Sequence, residues 1–197
     1  SEHFPNLKYL DMGSGFKIPY QENDMETDVK ALGKKVEKAI SEFSKETGKK
    51  FELWFEPGKF LVGKSGYLLV KANVIKQTTA TVFVGVNSGF NHLIRPMFYD
   101  SYHEIENLSN PKGAERIYTV VGNICETDTF AWDRKLNEVR EGDVLAFYTA
   151  GAYGFEMSTN FNSRLKPAEV LFLNGKAHLI RKRDEFEDLL RNQIEVL

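Results

Sequence analysis

Two loops in the first third of the chain carry residues suited to holding an anion. Gly13, Ser14 and Gly15 follow the short apolar segment Leu7–Met12, and a glycine turn lets backbone N–H groups approach an anion because no Cβ obstructs them. The loop Glu56–Lys59 places a carboxylate and an ammonium after a second strand, at the end where α/β proteins bind ligands. Each loop taken alone remains compatible with an ordinary surface turn, because neither has the spacing of a dinucleotide or P-loop motif.

Three further side chains have the chemistry of proton transfer or carboxylate recognition. Cys125 lies next to Glu126 after an apolar strand, where a thiol can donate a proton, although most free cysteines are small buried hydrophobes. Arg95 stands among apolar residues and suits two-pronged carboxylate binding, although pairing with an acid at the edge of the core is an alternative. His103 is the best general base by residue type, and a structural role is the favoured interpretation.

Composition and charge exclude several classes of protein. The 26 Lys and Arg against 28 Asp and Glu leave a net charge of -2, so bulk electrostatics do not favour nucleic acid. The single cysteine excludes internal disulfides and is typical of a reducing compartment. Histidines at positions 3, 92, 103 and 178 show no metal-ligand spacing. Apolar runs are too short for a membrane span, and Ser1–Asn6 lacks a secretory signal pattern. We therefore expect a cytoplasmic protein without a metal site.

The elements that must position these residues begin with one βαβ unit. Apolar residues at steps of three and four predict an amphipathic helix over Asp28–Thr47, with Gly48 as its stop. Strands predicted at Leu7–Met12 and Phe51–Phe55 flank this helix and should be parallel. One such unit is too small for a domain, so either its strands join another sheet or the chain is the C-terminal part of a longer protein.

The remainder of the chain is predicted to be mostly antiparallel β. Strands are expected at Gly66–Lys76, Thr81–Val86, Arg116–Gly122, Val144–Thr149, Glu169–Leu173 and His178–Arg181. Asn174-Gly175 predicts a type I′ hairpin turn between the last two strands. A short helix from Asp184 to about Gln193 is expected to follow.

Six segments, read together, resemble diaminopimelate decarboxylase in their order and approximate spacing over nearly the whole chain. They are Leu10–Phe16, Glu56–Val62, Asn91–Tyr99, Tyr102–Ile105, Val121–Thr127 and Gly151–Ser158. The resemblance implies an α/β plus all-β fold of the alanine-racemase type. Residues 1–62 would form the last part of a cofactor-binding (β/α)8 barrel, and residues 63–197 a C-terminal antiparallel β domain with substrate and proton-donor residues.

The activity implied by the resemblance is removal of CO2 from meso-2,6-diaminopimelate to give L-lysine, with pyridoxal 5'-phosphate as cofactor and a homodimer that shares its active site. The Schiff-base lysine of that family precedes the glycine loop, and a whole barrel takes about 250 residues. We therefore expect a fragment that is inactive alone. Two alternatives stay open: a same-fold decarboxylase of another basic amino acid, and a non-catalytic dimerisation or binding module.

The resemblance also implies roles for individual residues near the cofactor. Gly13, Ser14 and Gly15 resemble the phosphate-binding loop, and Glu56 resembles the carboxylate that keeps the pyridine nitrogen protonated. The remaining residues with implied contacts to cofactor, substrate or both are Gly58, Lys59 and Tyr153.

On the substrate side, Arg95 and Tyr99 resemble the clamp on a carboxylate, and Glu126 resembles the acid that reads the distal ammonium group. Cys125 resembles the proton donor to the α-carbon, delivered from the partner subunit.

The sequence departs from the family pattern at three places. Ser14 replaces the middle glycine of the phosphate loop. Lys59 replaces an arginine, and an ammonium lacks the planar two-pronged contact, so weaker binding is expected. Asn87 and Ser88 stand where the family has Asp-Ala.

Overall fold

The described part of the chain runs from residue 4 to residue 196 of a computed structural model, so His3 lies outside it. Strand β1 (Tyr9–Asp11), helix α1 (Val29–Thr47) and strand β2 (Glu52–Trp54) follow one another. The two strands pair in parallel, which confirms the βαβ prediction. They form a separate two-stranded sheet and do not join the larger one.

Both ends of α1 are set by the residues that the sequence indicates. Asp28 is the N-cap, and its Oδ1 accepts hydrogen bonds from the N–H groups of Lys30 and Ala31 at 3.0 and 2.9 Å. Gly48 ends the helix in the left-handed conformation, at φ 68°. No residue of α1 is buried, so its apolar face stays open.

That open face borders an apolar groove of about 520 Å³ between α1 and the strand-end loops, which are the loops that follow β1 and β2. Its walls include Phe16, Leu32, Val36, Phe55 and Leu61. A groove of this size on a parallel strand pair is the surface that neighbouring βα units cover in α/β proteins.

The second part of the chain is a curled six-stranded sheet. After helix α2 (Gly58–Val62) and a 3-10 turn (Gly63–Ser65), its elements are β3 (Leu68–Gln77), β4 (Val82–Val86), α3 (Arg95–Tyr99), β5 (Ile105–Asn107), β6 (Glu115–Val121), β7 (Thr129–Asn137) and β8 (Val144–Phe147). The strand order is β5-β8-β3-β4-β6-β7. Val84, Val120, Leu145 and Phe147 are fully enclosed in the core.

The prediction of an antiparallel domain needs one correction, because the sheet is mixed. β4 pairs with β6 in parallel, with Val84 opposite Val120. The chain between them passes through α3 and β5, which gives it the length that a parallel crossover requires. Every other pairing in this sheet is antiparallel.

The two edge regions of the sheet approach each other, so the sheet is nearly barrel-like. Arg134 of β7 donates from Nη1 to the carbonyl of His103, just before β5, at 2.7 Å. Asn107, the last residue of β5, donates from Nδ2 to the carbonyl of Glu138, just after β7, at 2.8 Å.

A separate hairpin and a short helix complete the described chain. Strands β9 (Glu169–Leu173) and β10 (Lys176–Arg181) pair in antiparallel fashion. Asn174 and Gly175 lie at φ 53° and 74°, which confirms the turn prediction. Helix α4 (Phe186–Leu190) is shorter than predicted. Within residues 4–196 no helix is long and apolar enough to cross a membrane.

Two glycines allow the first part of the chain to dock on the sheet. Ala150 donates to the carbonyl of Gly66 at 2.8 Å, and Gly151 donates to that of Gly63 at 3.0 Å. A Cβ on Gly151 would lie 2.0 Å from the carbonyl oxygen of Val62, and one on Gly66 would lie 2.3 Å from the Cα of Gly151. Only glycine permits this approach of two backbones.

We expect Gly151→Ala to destabilise the protein by about 1–3 kcal/mol, because the added methyl group has no room and the backbones must separate. The matched control is Gly33→Ala in α1, where a Cβ meets nothing within 4 Å. Alanine there should stabilise the helix by up to about 1 kcal/mol. Urea unfolding measures the stability of both variants. Equal effects of the two substitutions would contradict the close approach of the two backbones at Gly151.

Candidate functional site

Arg95 is the centre of a cluster that unites four of the side chains singled out from the sequence. It opens α3, is 8% exposed, and its Cζ lies 5.8 Å from the ring centroid of Tyr153 and 6.0 Å from that of Tyr99. Its closest ring is that of Tyr20, at 5.2 Å, and Lys59 Nζ lies 5.8 Å from the same ring. A guanidinium among aromatic rings is held by cation–π attraction.

Among residues 4–196 the charge of Arg95 has no acidic partner. Its Nη2 donates to the hydroxyl of Ser101 at 3.2 Å, while its Nε has no hydrogen-bond partner. Within residues 4–196 no carboxylate forms an ion pair with it. Burying an unpaired charge is unfavourable, so this guanidinium is disposed to bind an anionic group that enters from outside. For the described residues, the alternative that Arg95 pairs with an acid at the edge of the core is therefore wrong.

Two other side chains next to Arg95, Tyr20 and His103, each have one buried polar atom without a hydrogen-bond partner among residues 4–196. The Tyr20 hydroxyl is buried without a hydrogen bond, and burial raises its pKa, so the phenol stays neutral. His103 is 2% exposed and stands edge-to-face against the Tyr20 ring at 5.5 Å.

His103 is held as a neutral imidazole. A carbonyl can only accept, so Nδ1 carries the proton and donates to the carbonyl of Tyr148 at 2.8 Å, whereas Nε2 has no partner. Burial lowers the pKa of His103 to about 4. The ring fixes the segment before β5 to the end of β8, in agreement with a structural role.

The glycine loop has the geometry of an anion cradle. Gly13 and Gly15 lie at φ 67° and 97°, where L side chains are strained. The N–H of Gly13 donates to Asp11 Oδ1 at 2.8 Å and its carbonyl accepts from the N–H of Glu56 at 2.7 Å. Within the described residues no hydrogen bond uses the N–H groups of Ser14 and Gly15. These free donors suit a phosphate, and the Ser14 side chain is exposed there.

Glu56, Gly58 and Lys59 connect this loop with the Arg95 cluster. Glu56 is exposed two residues after the end of β2, and the N–H of Gly58 donates to its carbonyl at 2.9 Å. Lys59 lies in the first turn of α2, with its Nζ 5.8 Å from the centroid of the Tyr20 ring. The strand-end loops and Arg95 therefore border one region.

Cys125 and Glu126 lie on a different loop, formed by residues 122–128. Both side chains are exposed, so the alternative of Cys125 as a buried hydrophobe is wrong. No contact recorded for residues 4–196 joins either of them to Arg95. One chain thus brings together the proposed clamp but leaves the proposed proton donor apart from it.

Asp128, which sequence reasoning missed, organises the Cys125 loop. It is 5% exposed, and its Oδ1 accepts from the N–H of Phe90 at 2.7 Å and its Oδ2 from that of Ile124 at 2.9 Å. Burial raises the pKa of this carboxyl. A Cβ on Gly122 would lie 2.0 Å from Asp128 Oδ2, so the glycine makes room for the carboxylate.

Asn87 and Ser88, which depart from the family pattern, support the fold locally. Asn87 Oδ1 accepts from the N–H of Lys71 at 2.8 Å. Ser88 Oγ and His92 Nδ1 are 3.0 Å apart, and His92 Nε2 donates to the carbonyl of Leu165 at 3.0 Å.

In the described part of the chain no group of three His, Cys, Asp or Glu side chains is placed to hold a metal ion.

Comparison with known proteins gives a consistent family. A model of the pyridoxal-dependent decarboxylases, C-terminal sheet domain, matches residues 20–151. A diaminopimelate decarboxylase of Methanothermobacter thermautotrophicus is 42% identical over 191 residues, which are 95% of this chain and 44% of that protein. One of Archaeoglobus fulgidus is 39% identical, over 95% of this chain and 45% of that protein.

A solved structure has the same fold. The crystal structure of diaminopimelate decarboxylase from M. jannaschii in complex with L-lysine superposes with a TM-score of 0.90 at 33% identity. The match covers 99% of this chain and 45% of that one. The chain thus spans less than half the length of the relatives that it matches.

We expect the protein to lose stability as the pH falls from about 6.5 to about 4, because the unfolded chain protonates its histidine near 6.5 while folded His103 stays neutral down to about 4. His103→Gln abolishes this titration, so its urea-unfolding free energy should fall by about 2 kcal/mol less than that of the wild type between pH 7 and pH 4.5. His178→Gln, at an exposed position of β10, is the control for the chemical substitution itself. Identical pH profiles for His103→Gln and the wild type would contradict the neutral, buried state.

Proposed function

The chain belongs to the family of pyridoxal-dependent decarboxylases, and from that premise we propose that it takes part in the decarboxylation of meso-2,6-diaminopimelate to L-lysine and CO2. The observation that carries the proposal is Arg95. A guanidinium that is 8% exposed, ringed by three tyrosines and without an acidic partner among residues 4–196 fits the carboxylate of an amino acid. The names of the relatives support diaminopimelate as that amino acid.

The strand-end loops are proposed to hold the cofactor. Pyridoxal phosphate, when bound, would accept the electron pair that is left on the α-carbon when CO2 departs. The free N–H groups of Ser14 and Gly15 would bind its phosphate, and Gly58 and Lys59 would contact it from the start of α2. Glu56 would keep the pyridine nitrogen protonated, because a carboxylate next to that nitrogen favours its charged form.

The remaining residues are proposed to select and protonate the substrate. Arg95 and Tyr99 bind one carboxylate, with Tyr153 and Lys59 bordering the same space. Glu126 binds the distal ammonium group of the substrate, and Cys125 donates a proton to the α-carbon. Because the Cys125 loop lies apart from Arg95 within one chain, we propose that it serves the site of a second copy, in a homodimer.

The open groove supports the proposed barrel. The groove beside α1, of about 520 Å³, is lined by apolar side chains of the βαβ unit, and further βα repeats would cover it. In this proposal residues 1–62 belong to the barrel and residues 63–197 to the β domain. We propose that the Schiff-base lysine is supplied from outside the 197 residues and that these residues alone are inactive.

A chimera tests the function. This chain replaces the matching segment of the Methanothermobacter relative, and CO2 release is measured with meso-diaminopimelate and with ornithine. We expect cofactor-dependent activity that prefers diaminopimelate, and Arg95→Ala should lower kcat/KM by about a hundredfold because a buried charge contact is lost. Arg116→Ala, at an exposed position of β6, is the matched control and should retain activity.

Three outcomes of this experiment count against the proposal. Equal rates on the two substrates would contradict diaminopimelate as the preferred substrate. Full activity of Arg95→Ala would contradict the carboxylate clamp, and a folded, cofactor-loaded chimera without turnover would contradict the function.

In the same chimera, Lys59→Arg should lower the KM for diaminopimelate several-fold, because a guanidinium makes the two-pronged contact that an ammonium cannot. Lys64→Arg is the control, since Lys64 pairs with Glu26 at 2.7 Å and takes no part in the site. A KM that is unchanged or raised by Lys59→Arg would show that the lysine is not a weakened substitute.

A further inference from the structure

The sulfur of Cys125 has a hydrogen-bond donor that the proposed function does not use. Asn162 Nδ2 donates to Cys125 Sγ at 3.1 Å. Both side chains are exposed, and within residues 4–196 this is the one hydrogen bond recorded for the sulfur. An N–H donor favours the charged form of the group that accepts it, which for cysteine is the thiolate.

Asn162 belongs to a segment, residues 160–166, that contacts the loops carrying the proposed proton donor. Arg164 Nη2 donates to the carbonyl of Asn123, within the Cys125 loop, at 3.1 Å. The ring of Phe161 packs against that of Phe90 at 5.1 Å, and Phe90 is itself tied to Asp128. The amide of Asn162 therefore lies between two contacts that fix it relative to the loop.

The backbone of this segment is strained where the contact occurs. Asn162 and Ser163 are consecutive non-glycine residues in the left-handed region, at φ 55° and 54°. Such conformations persist only where the surroundings impose them, and they cluster at functional sites. The left-handed turn begins at Asn162, the residue whose amide contacts the sulfur.

The anchors are hydrogen bonds to one carboxylate and one carbonyl. Asp184 Oδ2 accepts from Asn160 Nδ2 at 3.0 Å and from the N–H of Lys166 at 3.1 Å. Asn160 Nδ2 also donates to the carbonyl of Arg164 at 2.9 Å. The hydrogen bond from Asn160 lowers the pKa of Asp184, so this carboxyl stays charged and holds the segment near neutral pH.

We propose that Asn162 is a positioning residue for the proton transfer by Cys125, an inference that rests on the proposed function. In that step the S–H bond breaks, the proton forms a C–H bond with the electron pair at the α-carbon, and sulfur keeps the S–H pair as a thiolate. The Asn162 N–H then donates to that thiolate. The amide thus directs the sulfur and stabilises the charge that remains on it.

The opposite orientation of the amide makes an opposite prediction. If the amide oxygen faced the sulfur, it would accept from the S–H and favour the thiol. Removing Asn162 would then raise the thiolate fraction at a given pH instead of lowering it, so the sign of the effect separates the two arrangements.

Alkylation by iodoacetamide tests the contact in the 197-residue chain itself, without cofactor. Cys125 is the single cysteine, so the rate reports on it alone. Asn162→Gly deletes the amide and keeps a backbone that tolerates positive φ. Ser163→Gly relieves the neighbouring left-handed residue and leaves Asn162 in place, so it is the matched control.

We expect Asn162→Gly to alkylate about threefold more slowly at pH 7.5, because the amide no longer donates to the sulfur. The rate at high pH, which reports access, should stay within about twofold, as expected for an unchanged fold. Asn162→Asp should slow alkylation at pH 7.5 further because a carboxylate repels the thiolate. Ser163→Gly should match the wild type. An unchanged or faster rate in Asn162→Gly, or an equal slowing in Ser163→Gly, would overturn the inference.

The chimera described above separates this inference from the proposed function. Asn162→Gly should lower kcat for decarboxylation several-fold with KM unchanged, since only proton transfer is affected. An unchanged kcat despite a shifted alkylation profile would overturn the positioning role. Failure of the chimera with native Asn162 would contradict the proposed function, whereas the alkylation result is obtained without it.

Discussion

The close approach of two backbones at Gly66 and Gly151 is the constraint on which the arrangement of the candidate site depends. It joins the end of α2 to the strand-end region that follows β8 through two hydrogen bonds. Lys59 lies in α2 before this crossing, and Tyr153 comes two residues after Gly151. A nearby Cβ on Gly63 would also collide with Ile18 at 2.5 Å, so the segment leading to Tyr20 packs against the same crossing. A contact between backbones, without side chains, thus joins the α2 side of the candidate site to the Tyr153 side.

The site is assembled from buried polar groups whose environments differ in a useful way. Both carboxylate oxygens of Asp128 and the Nδ1 of His103 are engaged by backbone partners, and each side chain fixes one loop. Arg95, in contrast, has aromatic rings around it and keeps an unpaired Nε. Packed rings compensate a cation only partly, so the positive charge remains available. The division is between groups that hold the scaffold and one group left open to a ligand.

Local patterns predicted the local elements well. The period of apolar residues located α1, Asp28 and Gly48 located its ends, and Asn174-Gly175 located the hairpin. β5 and β7 were missed for physical reasons: β5 has three residues, and β7 carries Asp133 in the left-handed region together with a run of charged residues. The parallel pairing of β4 with β6 depends on contacts distant in sequence, which no local pattern encodes.

The same limit applies to the candidate site. The motif residues near Arg95 were predicted, and their meeting was implied by family resemblance. Tyr20, Asp128 and Asn162 were not predicted, because their importance lies in which distant atoms they face.

The position of β8 also bears on the synthesis of the chain, because β8 inserts between β3 and β5 and pairs Leu68 with Phe147. At about 5–20 residues per second the ribosome needs several seconds to make the intervening chain. During that interval the edge of β3 that will pair with β8 stays unpaired. The nascent chain therefore exposes an edge strand that is prone to pair with another chain before the sheet can close.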